Sequence, residues 1–180
     1  MKKITLWLVI GISLVLLLII AAFLFLVLVK PKYGKGDVEK PVYNSDPGEF
    51  VLQAGHVNYL LNEIGAYQLH TQPMSSENPL IELRSDDSAF FSEIEKGKII
   101  TRDEKTYEPD IIISTTKQEV INALESSNVK EYMKNSVSSG NTGIELVSSY
   151  SELFFKGYLQ IYKDLTGKSF TGSVIRIFAN

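Results

Sequence analysis

Residues Pro109–Leu124, PDIIISTTKQEVINAL, hold two periodicities back to back. Asp110–Ile113 sets three isoleucines in a row, the pattern of a short strand buried on both faces. Thr116 followed by Glu119 is a capping-box signature. Val120, Ile121 and Leu124 then fall at helical spacing on one face. A strand running directly into a capped amphipathic helix calls for a sheet and a helical layer together, so the fold class is α+β if the flanks supply more strands.

The flanks supply them. Leu80–Arg84 alternates, with Ile81 and Leu83 on one side and Glu82 and Arg84 on the other. Ser85-Asp86-Asp87-Ser88 reads as a turn, Ala89–Glu95 as a strand, and Lys96-Gly97 as a tight turn into Lys98–Arg102. These spacings predict an antiparallel meander that continues to Asp110–Ile113. Tyr67–Thr71 reads as one more β segment. Earlier still, Asp46-Pro47-Gly48-Glu49 offers a cap, a proline suited to the first helical position and an acid at the third. Phe50, Ala54, Val57, Leu61 and Ile64 recur behind it, widened by Val51 and Leu60, and Gly65 is placed to end the helix. A helix over Pro47–Ile64 follows.

Downstream, Asn128 with Glu131 opens another helix carrying Val129, Tyr132 and Met133. Gly140–Gly143 breaks the chain and Ile144–Val147 reads as a strand. Ser149 with Glu152 opens a last helix bearing Leu153, Phe154, Tyr158, Ile161, Tyr162 and Leu165 before Gly167. Gly172–Phe178 reads as a final strand.

Ahead of all this stands Ile4–Val29, twenty-six residues without a charge. As a helix it would be roughly 39 Å long at about 1.5 Å per residue, more than the roughly 30 Å core of a bilayer. The run is about twice a signal peptide's apolar region of roughly 7–15 residues, and Ala21-Ala22 sits inside it, a poor cleavage site. The expected division is therefore an uncleaved transmembrane signal anchor over 1–29, a flexible tether over 30–45 and one domain over 46–180. Tyr33 and Trp7 suit the two membrane interfaces. Lys30, Lys32, Lys35 and Lys40 pull the C-terminal side inward, but a short basic tail at Lys2–Lys3 ahead of a long apolar run more often stays inside. We take the domain to be extracytoplasmic.

Residues 33–180 carry 14 basic and 21 acidic side chains, a net of −7. That balance speaks against a nucleic-acid partner, which needs a basic surface. The absence of Cys excludes disulfides and a thiolate nucleophile. His56 and His70 stand fourteen residues apart without a HExxH, and nothing gathers three or four metal ligands. No Gly-x-Ser-x-Gly elbow is present, Gly140–Gly143 lacks the Lys-Ser/Thr of a phosphate loop, and Asp86-Asp87 suits a turn. The expectation is a protein without catalytic residues, metal or cofactor.

With its order of elements, PDIIISTTKQEVINAL resembles the sterol carrier protein type 2 family. There a strand of the form Asp-x-x-Ile runs into a helix led by a small polar residue, with apolar positions such as Val120 and Leu124. LIELRS and AFFSEIEKGKIIT are similar to its strands, including the turn glycine before Lys-Ile-Ile. GIELVSSYSELFFKGYLQIY is similar to its short strand feeding a final apolar helix. The likeness covers about residues 48–165. The family often writes the late strand as Gly-Lys-x-x-Ile-x-Gly, whereas here the glycines precede Ile144. The resemblance implies a mostly antiparallel sheet of about five strands with helices on one face and an apolar tunnel between them. Its ligand would be a lipid or acyl chain, bound without covalent chemistry. Val57, Leu60 and Leu61 of the first helix, with Leu153, Phe154 and Tyr158 of the last, are then the candidate lining. The same stripes also describe a solid core, the commoner meaning of apolar residues at helical spacing. The competing expectation is thus a membrane-anchored scaffold or interaction module with a filled core.

Overall fold

The computed structural model describes residues 11–21, 31–73, 75–86, 88–104 and 108–168. The chain divides into two compact units, Met1–Pro31 and Lys32–Asn180. In the first, residues 11–21 are helical with exposed side chains. The remaining parts of Ile4–Val29 lie outside the described residues, among which no helix is long and apolar enough to cross a membrane.

The second unit is α+β. Five strands, β1 (Leu80–Ser85), β2 (Ser88–Glu95), β3 (Lys98–Arg102), β4 (Ile111–Thr115) and β5 (Gly143–Leu146), form one sheet in the order β3-β2-β1-β4-β5. Three of the four neighbouring pairs are antiparallel, while β1 and β4 run parallel. The sheet is thus mixed, and the expected meander stops at β3. Burial explains the change. Ile111, Ile112 and Ile113 are all buried, so β4 needs neighbours on both sides and takes a place beside β1. The half-exposed β3 and β5 are left as edges, where exposure is tolerated. Both hairpin turns are as expected. Asp86 (φ 48°) turns β1 into β2, and Lys96 and Gly97 (φ 49° and 84°) turn β2 into β3.

Among the described residues, five α-helices accompany the sheet: α1 (Ala54–Glu63), α2 (Lys117–Glu125), α3 (Val129–Ser139), α4 (Tyr150–Lys156) and α5 (Tyr158–Thr166). Thr116, Asn128 and Ser149 cap α2, α3 and α4, each accepting a backbone hydrogen bond from the Glu three residues on. The register puts Ile81, Leu83, Phe90, Ile94, Ile111 and Ile113 on one sheet face, and these join α1, α2, α3 and the α4–α5 pair in a single core. A buried aliphatic or aromatic side chain contributes about 1.5–3 kcal/mol, so this face dominates the stability of the unit.

Three expected elements differ. The first helix begins at Ala54, not Pro47. Asp46–Phe50 makes a single turn, closed by the Glu49 and Phe50 amides on the Asp46 carbonyl (3.0 and 2.8 Å). Phe50 and Leu52 are both buried, yet residues two apart would point to opposite sides of a helix. Non-helical backbone between them resolves that conflict. The helix is capped by Gln53 instead, whose amide donates to His56 Nδ1 at 3.0 Å. Second, Tyr67–Thr71 is not a strand: Ala66–Gln68 forms a 3-10 turn and the His70 amide donates to the Lys156 carbonyl (3.2 Å). Third, the last helix is two helices, broken at Gly157 (φ 92°), where an added Cβ would stand 3.2 Å from His70 Cε1. The expected strand Gly172–Phe178 lies outside the described residues.

Candidate functional site

Five of the six residues proposed to line an apolar tunnel sit in the core: Val57 and Leu61 are fully buried, and Leu60, Leu153 and Tyr158 are 1–2 % exposed. They belong to one core but not to one wall. α1 packs chiefly on β3, while α5 packs chiefly on α3. Phe154 points the other way, at 37 % exposure, stacked on Tyr150 and edge-on to Phe155.

A polar cleft lies elsewhere. It measures about 590 Å³ and is edged by Glu77, Asn78, Glu93, Glu108, Glu152 and Lys156, with Leu80, Asp110 and Ser148 also contributing. None of the six proposed residues lines it or either of two shallower depressions, beside Asp164 and beside Arg102.

At this cleft stands a buried polar cluster around Asp110. Asp110 precedes β4 and is 3 % exposed. Its Oδ1 accepts from Lys156 Nζ and from Ser148 Oγ, both at 2.7 Å. Its Oδ2 accepts from the Leu80 amide (2.8 Å) and the Tyr158 hydroxyl (3.0 Å). The backbone of the same residue is used as fully: its amide donates to the Leu80 carbonyl, and its carbonyl accepts from the Val147 and Ser148 amides. One aspartate thereby joins the head of β1, the head of β4, the end of β5 and the α4–α5 break. Lys156 and Tyr158 flank Gly157, and the left-handed glycine lets side chains from two helices reach the same carboxylate.

The electrostatics follow. Burial, and next the negative charge of Asp110, push the Tyr158 phenol well above its ordinary range, so it remains a hydrogen-bond donor. Hydrogen bonds from Ser149, side chain first and amide second, hold the Glu152 carboxyl below its usual value, with Lys156 adding a smaller pull. With four donors on its two oxygens, Asp110 is saturated as an acceptor and is arranged to hold elements together. Among the described residues no group of three or more His, Cys, Asp or Glu side chains is placed to hold a metal ion.

The two histidines are buried. His56 accepts at Nδ1 from the Gln53 amide and packs against Phe50, and its Nε2 lies 3.4 Å from the Val42 carbonyl. Burial lowers its pKa below the ordinary 6.5. The stretch before the domain is also in contact with it: Lys35 pairs with Glu63 (2.7 Å), and the Asn62 side chain donates to the Gly36 carbonyl (3.1 Å).

Sequence reasoning did not single out Asp110, Lys156 or Ser148 as a group. The usable signal was Lys156, three residues from Leu153 and therefore on the apolar face of α4, where a cation requires a buried partner. Nothing local, however, names that partner, which is forty-six residues away.

No protein-family model matches the chain, and no curated protein sequence matches it. Among solved structures the chain is similar to one described as "UbiJ-SCP2 Ubiquinone synthesis protein", with a TM-score of 0.36 and 8 % sequence identity over 62 % of this chain and 94 % of that chain.

Proposed function

We propose that the chain is a membrane-tethered binding domain for a lipid or other hydrophobic ligand, working through shape and desolvation without covalent chemistry. Ile4–Val29 would be the anchor, an uncharged run of spanning length whose purpose is local concentration at the bilayer. The observation that carries the reading is in Pro109–Leu124, the segment on which the resemblance to the sterol carrier protein type 2 family is drawn. Asp110 heads β4, and β4 runs through Thr116 into the capped helix α2, as that family's pattern requires. Val57, Leu60, Leu61, Leu153 and Tyr158 are buried, so an apolar ligand between sheet and helices would displace side chains of α1 or of the α4–α5 pair.

A second reading, a membrane-anchored interaction module with a filled core, is favoured by the burial of Val57, Leu60, Leu61, Leu153 and Tyr158. One experiment separates the two. The Lys32–Asn180 unit, purified without detergent, is extracted with organic solvent for lipid mass spectrometry and titrated with a fluorescent fatty acid. Co-purified lipid and saturable uptake support the first reading. An empty domain that takes up no fatty acid refutes it and leaves the second.

A further inference from the structure

We propose that the β2–β3 turn, together with the segment that packs on it, is a basic surface for the anionic headgroups of the bilayer. The inference rests on the reading of Ile4–Val29 as a span and adds which face of the domain meets the lipid.

Three contacts hold residues 33–36 against the domain. Tyr33 packs on the turn so closely that a Cβ on Gly97 would stand 2.7 Å from Tyr33 Cβ and 2.9 Å from its Cγ. Gly97 is therefore required by this approach as well as by its positive φ. Lys35 pairs with Glu63, and the buried Asn62 side chain donates to the Gly36 carbonyl, which ties the segment to the end of α1.

The result is a concentration of positive charge on an acidic unit. Residues 32–180 carry 15 basic and 21 acidic side chains. Lys96 and Lys98 flank Gly97, Lys32 adjoins Tyr33, and Lys35 follows two residues later; all four lysines are exposed. The acids that meet them are Glu63 and Glu95, the latter 4.0 Å from Lys96, whose side chain is 83 % exposed. Lysines clustered where the chain leaves a membrane span are suited to anionic lipid. Half-buried Tyr33 adds an amphipathic ring of the kind favoured at the interface. Whatever the arrangement of the two units, Tyr33 is separated from Val29 by a stretch of chain that reaches no more than about 14 Å. The turn on which it packs is therefore within reach of headgroups.

The test uses the full chain reconstituted in vesicles of phosphatidylcholine, alone or mixed with phosphatidylglycerol. The protein has no cysteine, so a single fluorophore can be placed by Lys98→Cys at the turn or by Ser139→Cys at the exposed end of α3. Brominated lipid is the quencher. Quenching at residue 98 is expected to exceed that at 139 several-fold with phosphatidylglycerol. It should fall toward the phosphatidylcholine level on adding salt or introducing Lys96→Glu, which alters only an exposed side chain. Equal quenching at both sites, or indifference to lipid charge, overturns the inference. Carbonate extraction separates the two levels of failure: protein retained but unquenched removes this inference alone, whereas protein released from the vesicles removes the span and this inference with it.

Discussion

Replacing Asp110 by Asn tests whether the buried cluster holds the sheet to the last two helices. The substitution keeps the volume and one acceptor but removes the charge. Lys156, 5 % exposed, would then face an amide with its ammonium unpaired. Of the Leu80 amide and the Tyr158 hydroxyl on one oxygen, and Lys156 and Ser148 on the other, two donors would meet an NH₂ group. Breaking a buried pair from one side costs about 3–5 kcal/mol, and we expect a loss in that range. Lys156→Met is the informative comparison. It leaves the carboxylate three donors, so the expected loss is smaller, about 1–3 kcal/mol. The combined variant Asp110→Asn with Lys156→Met should cost less than the two single losses added, because no buried cation remains. Urea unfolding of the Lys32–Asn180 unit followed by far-UV circular dichroism gives all three values. A greater loss from Lys156→Met than from Asp110→Asn, or strict additivity, would refute the placement of Asp110 at the centre of the cluster.

Three further outcomes are expected. His56 has a folded pKa lowered by burial, so folding favours its neutral form; its contribution is complete above about pH 6.5 and is lost as pH falls toward the lowered value. Unfolding midpoints from about pH 7.5 to 5.5 should therefore decline more steeply for the native chain than for His56→Gln, and identical slopes would contradict this. Gly157→Ala forces a Cβ onto a left-handed backbone and against His70, which should cost about 1 kcal/mol or more; no measurable loss by the same unfolding assay would count against the tight seam. Leu61→Ala should cost about 2–5 kcal/mol as a core truncation. Phe154→Ala, on an exposed face with its ring against Tyr150 and Phe155, should cost no more than about 1.5 kcal/mol. Equal losses would mean that Phe154 is also core.

The elements most legible in the sequence were those fixed by neighbours in the chain. Thr116, Asn128 and Ser149 cap their helices because the acceptor and the amide it meets are three residues apart. The Lys96-Gly97 turn is likewise local. The errors came where distant packing decided between local choices. Asp46 and Glu49 form a good start signal, yet the helix waits until Gln53 because both Phe50 and Leu52 are drawn into the core. The run from Ser149 to Leu165 keeps a helical period throughout, and only the approach of His70 to Gly157 marks where it divides. β4 was legible as a strand buried on both faces. Its parallel place beside β1 was not, since the preference for a central position depends on how exposed β3 and β5 can be. The polar cluster is the extreme case: its members are drawn from β1, β4, β5, α4 and α5, and no window of sequence contains them.

On the proposed reading, that cluster would also restrict how a hydrophobic ligand enters. Of the candidate lining residues Leu153, Phe154 and Tyr158, Leu153 and Tyr158 straddle Lys156 and Gly157, and Tyr158 itself donates to Asp110. Moving the α4–α5 pair off the sheet would draw Lys156, Tyr158 and Ser148 away from one carboxylate, at a cost of the order of the 3–5 kcal/mol for a broken buried pair. Opening at α1 carries no such ionic penalty. Its apolar face rests on β3, held in part by Thr101, whose hydroxyl donates to Asn58, and its last turn is tied to residues 35 and 36 by the Lys35–Glu63 pair and the Asn62–Gly36 bond. A half-exposed ion pair of this kind contributes little, about 0–1 kcal/mol. On the proposed reading, opening at α1 would break fewer ionic and hydrogen-bonding contacts than opening at the α4–α5 pair, which would then be the fixed side.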